Sequence, residues 1–357
     1  MAQTVWVNKA DLTRTALNDD DVAPLGEHEV RLRVESFAVT ANNITYAVIG
    51  DMFRYWDFFP AGDGFGIVPM WGHAVVEESR HPDLAVGDRV YGYLPMGTHL
   101  VVLADRVTPS GFIDAAAHRQ PMSPFYSQYS RLAADPEHDP ANEDARMLFG
   151  PLFKTGLLIE AMMRREGWFG AEALVMTSAS SKTAMALAHC SKESSPHIRR
   201  IGLTSAGNVA FVESTGLYDE VISYDTGRQL RQLPAVVVDF AGNATVLRAV
   251  HETLGDHLKY SCLVGVTHVE GRGGSGEPLP GPAPILFFAP DHATATIKDL
   301  GPKGFAEAVG KSWAGFVSAA NGFVTVDHRN GLDAARDAFL TTLAGKADPA
   351  VGIVIRP

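Results

Sequence analysis

The chain has 357 residues, of which 46% are hydrophobic, so it is long enough for two compact domains with separate cores. Its 30 basic and 41 acidic side chains give a net charge of −11, which argues against broad electrostatic binding to nucleic acid or to an anionic membrane. The two cysteines, Cys190 and Cys262, are too few for a disulfide framework or a four-thiolate zinc site.

Short strands dominate the first hundred residues. Residues 29–39 alternate polar and apolar side chains, as a half-exposed strand does. Further strand-like segments, punctuated by glycines, follow at 72–79, 86–94 and 98–103. These patterns predict a barrel-like β domain over residues 1–150. Within it, residues 106–150 are expected to form a long surface excursion, which is either a lid or an ordered structural insertion.

The second half of the chain alternates apolar strands with helical segments. The strands are predicted at 173–176, 200–204, 220–224, 235–239 and 260–265. Continuous β-branched strands separated by helices predict a parallel sheet covered on both faces, which is a doubly wound nucleotide-binding domain of the α/β class over residues 151–290. The remaining segment, 291–357, ends in an apolar strand at 351–356 that is expected to return to the sheet of the first domain.

The loop at residues 177–184 lies between an apolar strand and an Ala-rich helix. Such a junction directs backbone N–H groups and the positive end of a helix dipole at one point, which favours a bound phosphate. The candidate donors of this loop are Ser178, Ser180, Ser181, Lys182 and Thr183. The alternative is a serine-rich connection with a Ser N-cap and an exposed lysine.

The order of these pieces resembles the medium-chain dehydrogenase/reductase superfamily, particularly its zinc-independent quinone oxidoreductase and enoyl reductase branches, and more closely still an uncharacterised branch of it. The stretches that carry the likeness lie at 39–46, 75–77, 86–90, 151–155, 219–224, 238–243 and 259–265. The resemblance implies a GroES-like β-barrel domain joined to a Rossmann cofactor domain, and it makes a homodimer the expectation.

Two departures from the superfamily pattern affect the expected chemistry. Ser178, Ser181 and Ala184 stand where the dinucleotide fingerprint has glycines. The cysteines of the structural and catalytic zinc sites are missing, so a zinc alcohol dehydrogenase mechanism is not expected.

The turn after the second parallel strand indicates which cofactor binds. Residues 204–208 carry no carboxylate, although NAD enzymes commonly hold the ribose hydroxyls there with an acidic residue. Ser205 and Asn208 instead offer donors that suit the extra phosphate of NADP, and Tyr224 resembles a residue that contacts this phosphate in quinone reductases. NADP(H) is therefore the predicted cofactor, and an ordinary polar turn with a packed tyrosine ring is the alternative.

Two glycines, Gly242 and Gly265, follow predicted strands at the carboxyl edge of the sheet. Ligands of open α/β sheets bind outside that edge, so both glycines are candidates for cofactor contact. Ordinary strand-ending turns use the same residue type, which is the alternative.

The likeness places residues 39–46 at an active-site loop. Asn42 or Asn43 would donate an N–H to an enone or quinone carbonyl, and Tyr46 would donate a hydrogen bond or a proton. Tyr126 is expected to close over the cleft. Turn formation by the asparagines and core packing by the tyrosines are the alternatives.

These observations predict a zinc-independent NADPH-dependent oxidoreductase that transfers a hydride to an activated C=C bond or a quinone. A non-catalytic nucleotide sensor or scaffold with a degenerate dehydrogenase fold and a carbonyl reductase are the alternatives. No apolar stretch of membrane-spanning length occurs in the sequence, and no basic region with a long apolar segment opens it, so a cytoplasmic location is expected. The expected partner is a small-molecule substrate rather than a nucleic acid or a membrane.

Overall fold

The computed structural model describes residues 2–62, 64–120, 122–224, 230–264 and 278–357. It divides into two compact units, one formed by Met1–Leu148 with Val326–Pro357 and the other by Phe149–Thr325. The helices are α1 (Ala41–Val48), α2 (Glu143–Arg165), α3 (Lys182–Ser194), α4 (Val209–Ser214), α5 (Ala244–Leu254), α6 (Ala289–Ala320) and α7 (Leu332–Leu343).

The first unit is built from antiparallel strands. They are β1 (Ala2–Asn8), β2 (Thr15–Asp20), β3 (Glu29–Val39), β4 (Phe65–Ile67), β5 (Pro69–Ser79), β6 (Arg89–Pro95), β7 (His99–Thr108), β8 (Gly111–Asp114), β9 (Gln128–Arg131), β16 (Thr325–Asn330) and β17 (Val351–Arg356). The ring β3-β5-β6-β9-β8-β7 closes because β3 also pairs with β7. Closure removes the edges of the sheet, which gives the predicted barrel. The C-terminal strand β17 pairs with β3, with Ile353 opposite Val39, which is the return that the apolar tail predicts.

The segment expected as a surface excursion contributes two strands, β8 and β9, to the barrel wall. Phe112 and Tyr129 are buried there and stack with their ring centroids 5.2 Å apart. Each strand has only four residues. An alternation this short is a weak strand pattern, which explains why the sequence suggested irregular structure instead.

The second unit contains one parallel sheet. Its strands are β10 (Ala173–Met176), β11 (Arg199–Thr204), β12 (Glu220–Ser223), β13 (Ala235–Asp239), β14 (Leu258–Leu263) and β15 (Ile285–Leu286), in the order β12-β11-β10-β13-β14-β15. Every residue of β10 and β13 is buried, as expected for strands covered on both faces. The strand order reverses between β10 and β13, so a crevice opens at their carboxyl ends. The prediction of an α/β fold with a barrel and a doubly wound sheet is confirmed.

Helix α6 belongs to the second unit, and the chain rejoins the first unit only from Val326, whereas the sequence expectation set the return at residue 291. Phe316 on α6 is fully buried, and its ring centroid lies 5.4 Å from that of Phe149 and 5.3 Å from that of Phe153. These contacts with α2 bury the apolar face of α6 within the second unit.

Candidate functional site

The loop after β10 is anchored to the end of β13 by a buried network. The hydroxyl of Thr177 donates to Asp239 Oδ1 at 2.5 Å and accepts the backbone N–H of Phe240 at 2.9 Å. The same Oδ1 accepts the backbone N–H groups of Ala241 and Gly242 at 3.1 and 3.3 Å. Asp239 is 1% exposed, so these hydrogen bonds replace the water that its charge would otherwise require. The network fixes two adjacent strand ends at the crevice.

Ser178 opens the turn toward the helix. Its φ of 48° lies in the left-handed region, where a glycine is usual, and its backbone N–H donates to the hydroxyl of Tyr224 at 2.6 Å. Burial raises the pKa of Tyr224 to about 12, so this hydroxyl stays neutral at physiological pH. Tyr224 therefore fastens the loop to the end of β12.

The N-terminus of α3 is capped by Ser181, whose Oγ accepts the backbone N–H of Ala184 at 3.3 Å. One residue earlier, the Ser180 hydroxyl accepts Nδ2 of Asn208 at 3.1 Å. Because that hydroxyl accepts from Asn208, its own hydrogen is left to donate to another group.

These elements surround a groove of about 240 Å³ at the carboxyl edge of the sheet, which we call the carboxyl-edge groove. It is lined by Ser178, Ser180, Thr204, Ser205, Asn208, Tyr224, Ala241, Asn243 and Val246. Five of these positions, at the ends of β10, β11 and β12, were singled out from the sequence: Ser178, Ser180, Ser205, Asn208 and Tyr224. None of the lining side chains carries a charge.

The other predicted cofactor residues lie outside the lining of this groove. Ser181 is the helix cap, and the Lys182 ammonium lies 5.9 Å from the centroid of the Phe149 ring. Thr183 is half-buried in the first turn of α3. Gly242 makes the turn after β13 with a φ of 63°. Gly265 lies outside the described residues.

Sequence reasoning missed four of the lining residues. Thr204 is the last residue of β11, and Ala241, Asn243 and Val246 follow β13. Asn243 caps α5, because its Oδ1 accepts the N–H groups of the second and third residues that follow it, at 3.0 and 3.2 Å. An asparagine directly before a helical stretch at a carboxyl strand end is a sequence pattern that could have identified it.

In the first unit, the two asparagines of the predicted active-site loop behave differently. Asn43 is 2% exposed, accepts the backbone N–H of Thr40 at 2.7 Å and donates to the carbonyl of Pro69 at 2.8 Å. Those bonds make it part of the N-terminal cap of α1. Asn42 instead donates from Nδ2 to the Tyr46 hydroxyl at 2.7 Å. The i,i+4 spacing on α1 brings these two side chains to the same face.

Tyr46 belongs to a group of rings that we call the aromatic cluster, formed by Tyr46, Tyr55, Phe58, Trp71, Tyr93 and Tyr126. Trp71 Nε1 donates to the Tyr46 hydroxyl at 3.1 Å, so this oxygen accepts two hydrogen bonds. Tyr126 shares a hydrogen bond of 3.1 Å with the hydroxyl of Tyr55. The structure thus brings together Asn42, Tyr46 and Tyr126, with Trp71 as the participant that the sequence did not reveal.

Burial controls the ionisation of these phenols. It raises the pKa of Tyr46 above its ordinary value, and the neighbouring Tyr126 adds to the rise, while hydrogen bonds from Trp71 and Asn42 oppose it. Burial also raises the pKa of Tyr55 and of Tyr126. All three are neutral hydrogen-bond donors at physiological pH.

His73 on β5 is fully buried, and its ring centroid lies 5.2 Å from that of Tyr91. Neither ring nitrogen has a hydrogen-bond partner among the residues that the structure describes. Burial lowers the pKa of His73 to about 4. It is therefore a neutral core residue at physiological pH, which is the structural role that is usual for a lone histidine in such a domain.

Neither a metal site nor a membrane-spanning helix occurs within the described residues. No three or more of their His, Cys, Asp or Glu side chains are grouped as a metal site requires. None of the helices found in those ranges combines the length and apolar character that crossing a membrane demands.

Comparison with known proteins identifies the family of this chain. A family model described as "Protein of unknown function (DUF2855)" matches residues 37–348, well over half of the chain. The chain belongs to the DUF2855 family. A search of curated proteins finds no match to this DUF2855 member.

Three solved structures with the same fold are each named as an oxidoreductase or bound to a nicotinamide cofactor. CurA from Vibrio vulnificus, solved in complex with NADPH, is 15% identical with a TM-score of 0.61, over 99% of this chain and 98% of that one. The yhdH oxidoreductase from Salmonella enterica, in complex with NADP, is 12% identical with a TM-score of 0.54, over 99% of each chain. The quinone oxidoreductase from Pseudomonas syringae pv. Tomato DC3000 is 16% identical with a TM-score of 0.56, over 100% of each chain. At these identities the likeness establishes the fold alone, which joins a closed β-barrel domain to a doubly wound parallel-sheet domain.

Proposed function

We propose that this protein is an NADPH-dependent oxidoreductase that transfers a hydride to an activated C=C bond or a quinone without zinc. The observation that carries the proposal is the carboxyl-edge groove, which lies at the strand-order reversal and presents hydroxyl and amide groups with no lining carboxylate. The bound NADP or NADPH of two proteins with the same fold supports it.

The residues of the groove fit the adenosine ribose of NADPH and its 2′-phosphate. Ser180 keeps a hydroxyl hydrogen to donate, and Asn208 Nδ2 keeps one of its two. The Ser205 hydroxyl is exposed next to them. Asp239, the last residue of β13, stands two residues before the groove residue Ala241. It is buried and accepts three hydrogen bonds, from Thr177, Ala241 and Gly242, so its carboxylate does not face the phosphate.

Size and polarity limit what this groove holds. Its volume of about 240 Å³ is below the range of roughly 300–1,000 Å³ that is typical of drug-sized ligands. Ala241 and Val246 give it an apolar wall on the side of α5. We therefore assign to it the adenosine end of the cofactor, with the apolar wall against the adenine ring.

We assign the reaction site to Asn42, Tyr46 and Tyr126. The Tyr46 oxygen accepts from Asn42 and Trp71, so its own hydrogen is available to donate to the substrate oxygen that becomes negative. Its raised pKa keeps that hydrogen in place over the physiological range. Tyr126, half-buried at the margin of the aromatic cluster, would hold the acceptor against these rings. The bound nicotinamide would supply the hydride.

The experiment is anaerobic NADPH oxidation with a panel of quinones and α,β-unsaturated ketones, using cofactor deuterated at the nicotinamide C4. We expect acceptor-dependent NADPH consumption, and with an α,β-unsaturated ketone we expect deuterium on carbon in the saturated product when both C4 positions of the cofactor are deuterated. Deuterium that reaches a quinone oxygen exchanges with water, so quinone reduction is followed by stoichiometric hydroquinone formation instead. Reduction of the C=C bond without deuterium in the product, or NADPH consumption with none of the acceptors, would reject the proposed reaction.

A second candidate function is nucleotide binding without turnover, and one observation favours it. The backbone N–H of Ser178, in the loop that usually presents such groups to the diphosphate, is already bonded to Tyr224. Saturable NADPH binding with no turnover across the acceptor panel would support this function over the first.

A further inference from the structure

The second unit contains a larger cavity at the opposite end of α3 from the carboxyl-edge groove. It has a volume of about 450 Å³, within the range of about 300–1,000 Å³ that is typical of small-molecule sites. It is lined by Leu157, Glu160, Ala161, Arg164, Glu193, Ser194, Thr296, Leu300, Phe305, Ala308, Lys311 and Ser312. Because α3 has 13 residues, its two ends lie roughly 20 Å apart. The cavity, which we call the α2–α3–α6 cavity, is therefore separate from the groove.

The sequence creates this cavity by breaking α6. Gly301 has a φ of 72° and is not helical, and the following Pro302 cannot donate a backbone hydrogen bond. The two halves of α6 thus meet at a bend. Leu300 lies directly before that bend and is 50% exposed, although it is a large apolar residue. The bend leaves apolar surface uncovered between the halves of α6 and the facing helices.

One wall of the cavity is apolar. Leu157 and Ala161 contribute it from α2, and Leu300, Phe305 and Ala308 contribute it from α6. Such a surface favours a hydrocarbon or ring body on the ligand, because water leaves both surfaces on binding.

The acidic groups of the cavity are already engaged by neighbours. Glu160 is 3% exposed, and its Oε1 accepts the Ser195 hydroxyl at 2.9 Å and Arg164 Nε at 3.2 Å. Glu193 Oε2 accepts the Ser312 hydroxyl at 2.8 Å. Burial raises the pKa of Glu160 above its ordinary value, and Arg164 opposes the rise.

The basic groups of the cavity keep free donors. Arg164 uses Nε for Glu160, while its two terminal nitrogens have no acceptor among the described residues. The Lys311 ammonium likewise has none within the described part of the chain. An apolar wall beside unpaired cationic donors is complementary to an anion that carries an apolar body.

We propose that the α2–α3–α6 cavity binds a small amphipathic carboxylate, with its apolar body against Leu157, Phe305 and Ala308 and its carboxylate at Arg164 and Lys311. This site is independent of the proposed oxidoreductase function, since it needs neither cofactor nor acceptor.

The test is calorimetric titration of the cofactor-free full chain with octanoate, octylammonium and acetate. Octanoate is expected to bind saturably at one site, with acetate undetectable and octylammonium at least about tenfold weaker. Equal or tighter binding of octylammonium, or no saturable octanoate binding, would overturn the proposal.

Substitutions in the lining test whether octanoate binds in the α2–α3–α6 cavity. Lys311→Ala should weaken octanoate binding by about fivefold, and Ala308→Trp should abolish it by filling the cavity. The matched control is Lys303→Ala, which removes the same charge from the same helix, where the side chain is 92% exposed and outside the lining. Equal weakening by Lys303→Ala and Lys311→Ala would show that octanoate follows net charge and would reject the site.

Discussion

The carboxyl-edge groove of the second unit leaves its polar groups within reach of solvent, with Ser205 exposed and Tyr224 37% exposed. The aromatic cluster of the first unit buries its polar groups, with Tyr46 5% and Tyr55 7% exposed. A parallel sheet produces the first arrangement because its strands end together at one edge, where polar turns collect. The second arrangement arises because α1 and the segments at 55–58 and 124–126 pack their rings against Trp71 on β5 and Tyr93 on β6. In the proposed function, the first region binds an anion and the second supplies a neutral proton donor.

The first prediction concerns the buried hydrogen-bond network of Thr177 and Asp239 beneath the carboxyl-edge groove, and it has the largest predicted magnitude. Asp239→Ala should destabilise the second unit by about 3 kcal/mol, because it removes the buried acceptor of the Thr177 hydroxyl and of the Gly242 N–H and leaves the Ala241 N–H with Thr177 as its remaining acceptor. Urea unfolding followed by fluorescence measures the change. The control, Asp256→Ala, removes an exposed carboxylate from the same unit and should shift stability by less than about 0.5 kcal/mol. Equal losses in the two variants would show that the network does not hold the strand ends.

A second prediction concerns His73, a buried side chain with no hydrogen-bond partner among the described residues. Burial lowers the pKa of His73 to about 4 in the folded state, whereas an exposed histidine has a pKa of about 6.5, so the unfolded chain takes up a proton between these pH values while the native state does not. Stability should therefore fall as pH falls from 6.5 to 4, with His73 contributing up to about 3 kcal/mol. His73→Leu should flatten this part of the profile, measured by urea unfolding at several pH values. An unchanged slope in the variant would show that His73 is not the group responsible.

The third prediction concerns the difference in affinity of the carboxyl-edge groove for NADPH and for NADH. Ser205→Asp places a carboxylate where the 2′-phosphate would lie, so NADPH affinity should fall by about tenfold while NADH affinity is retained or improved. Fluorescence titration measures both. Ser205→Asn has the same shape as the aspartate without its charge, and it should keep the preference for NADPH. If both variants weaken NADPH equally, the effect is steric and the phosphate lies elsewhere.

The smallest expected effect tests the proposed proton donor. Trp71→Phe keeps a ring in the aromatic cluster but removes the indole N–H that Tyr46 accepts, so turnover should fall by about fivefold with NADPH affinity unchanged. Trp6→Phe makes the same chemical change at a tryptophan that donates to Thr4 instead, and it should leave turnover as it is. A matching loss in both variants, or a weaker affinity for NADPH, would argue against a role for Trp71 in orienting Tyr46.

Much of the second unit could be predicted from the sequence, because β10 and β13 are nearly continuous apolar runs and helical segments separate the strands. Ser205 and Asn208 were found in the turn after β11. Tyr224, Asn42 and Tyr46 were found through the family resemblance, and α1 places the last two on one face by their spacing of four residues.

The remaining features depend on tertiary contacts that no local pattern encodes. The four-residue strands β8 and β9 are stabilised by the stacking of Phe112 on Tyr129, two residues far apart in sequence. Trp71 on β5 contacts Tyr46 on α1, 25 residues away in sequence. Lys182 lies against the Phe149 ring of another helix, a placement that its position in a serine-rich loop does not indicate.

Binding of the adenosine end of NADPH by hydroxyl and amide donors of the carboxyl-edge groove is tested by fluorescence titration of the full chain with NADPH and with NADH under identical conditions. We expect saturable NADPH binding at least about tenfold tighter than that of NADH. No saturable binding of NADPH, or NADH binding that is equal or tighter, would contradict it.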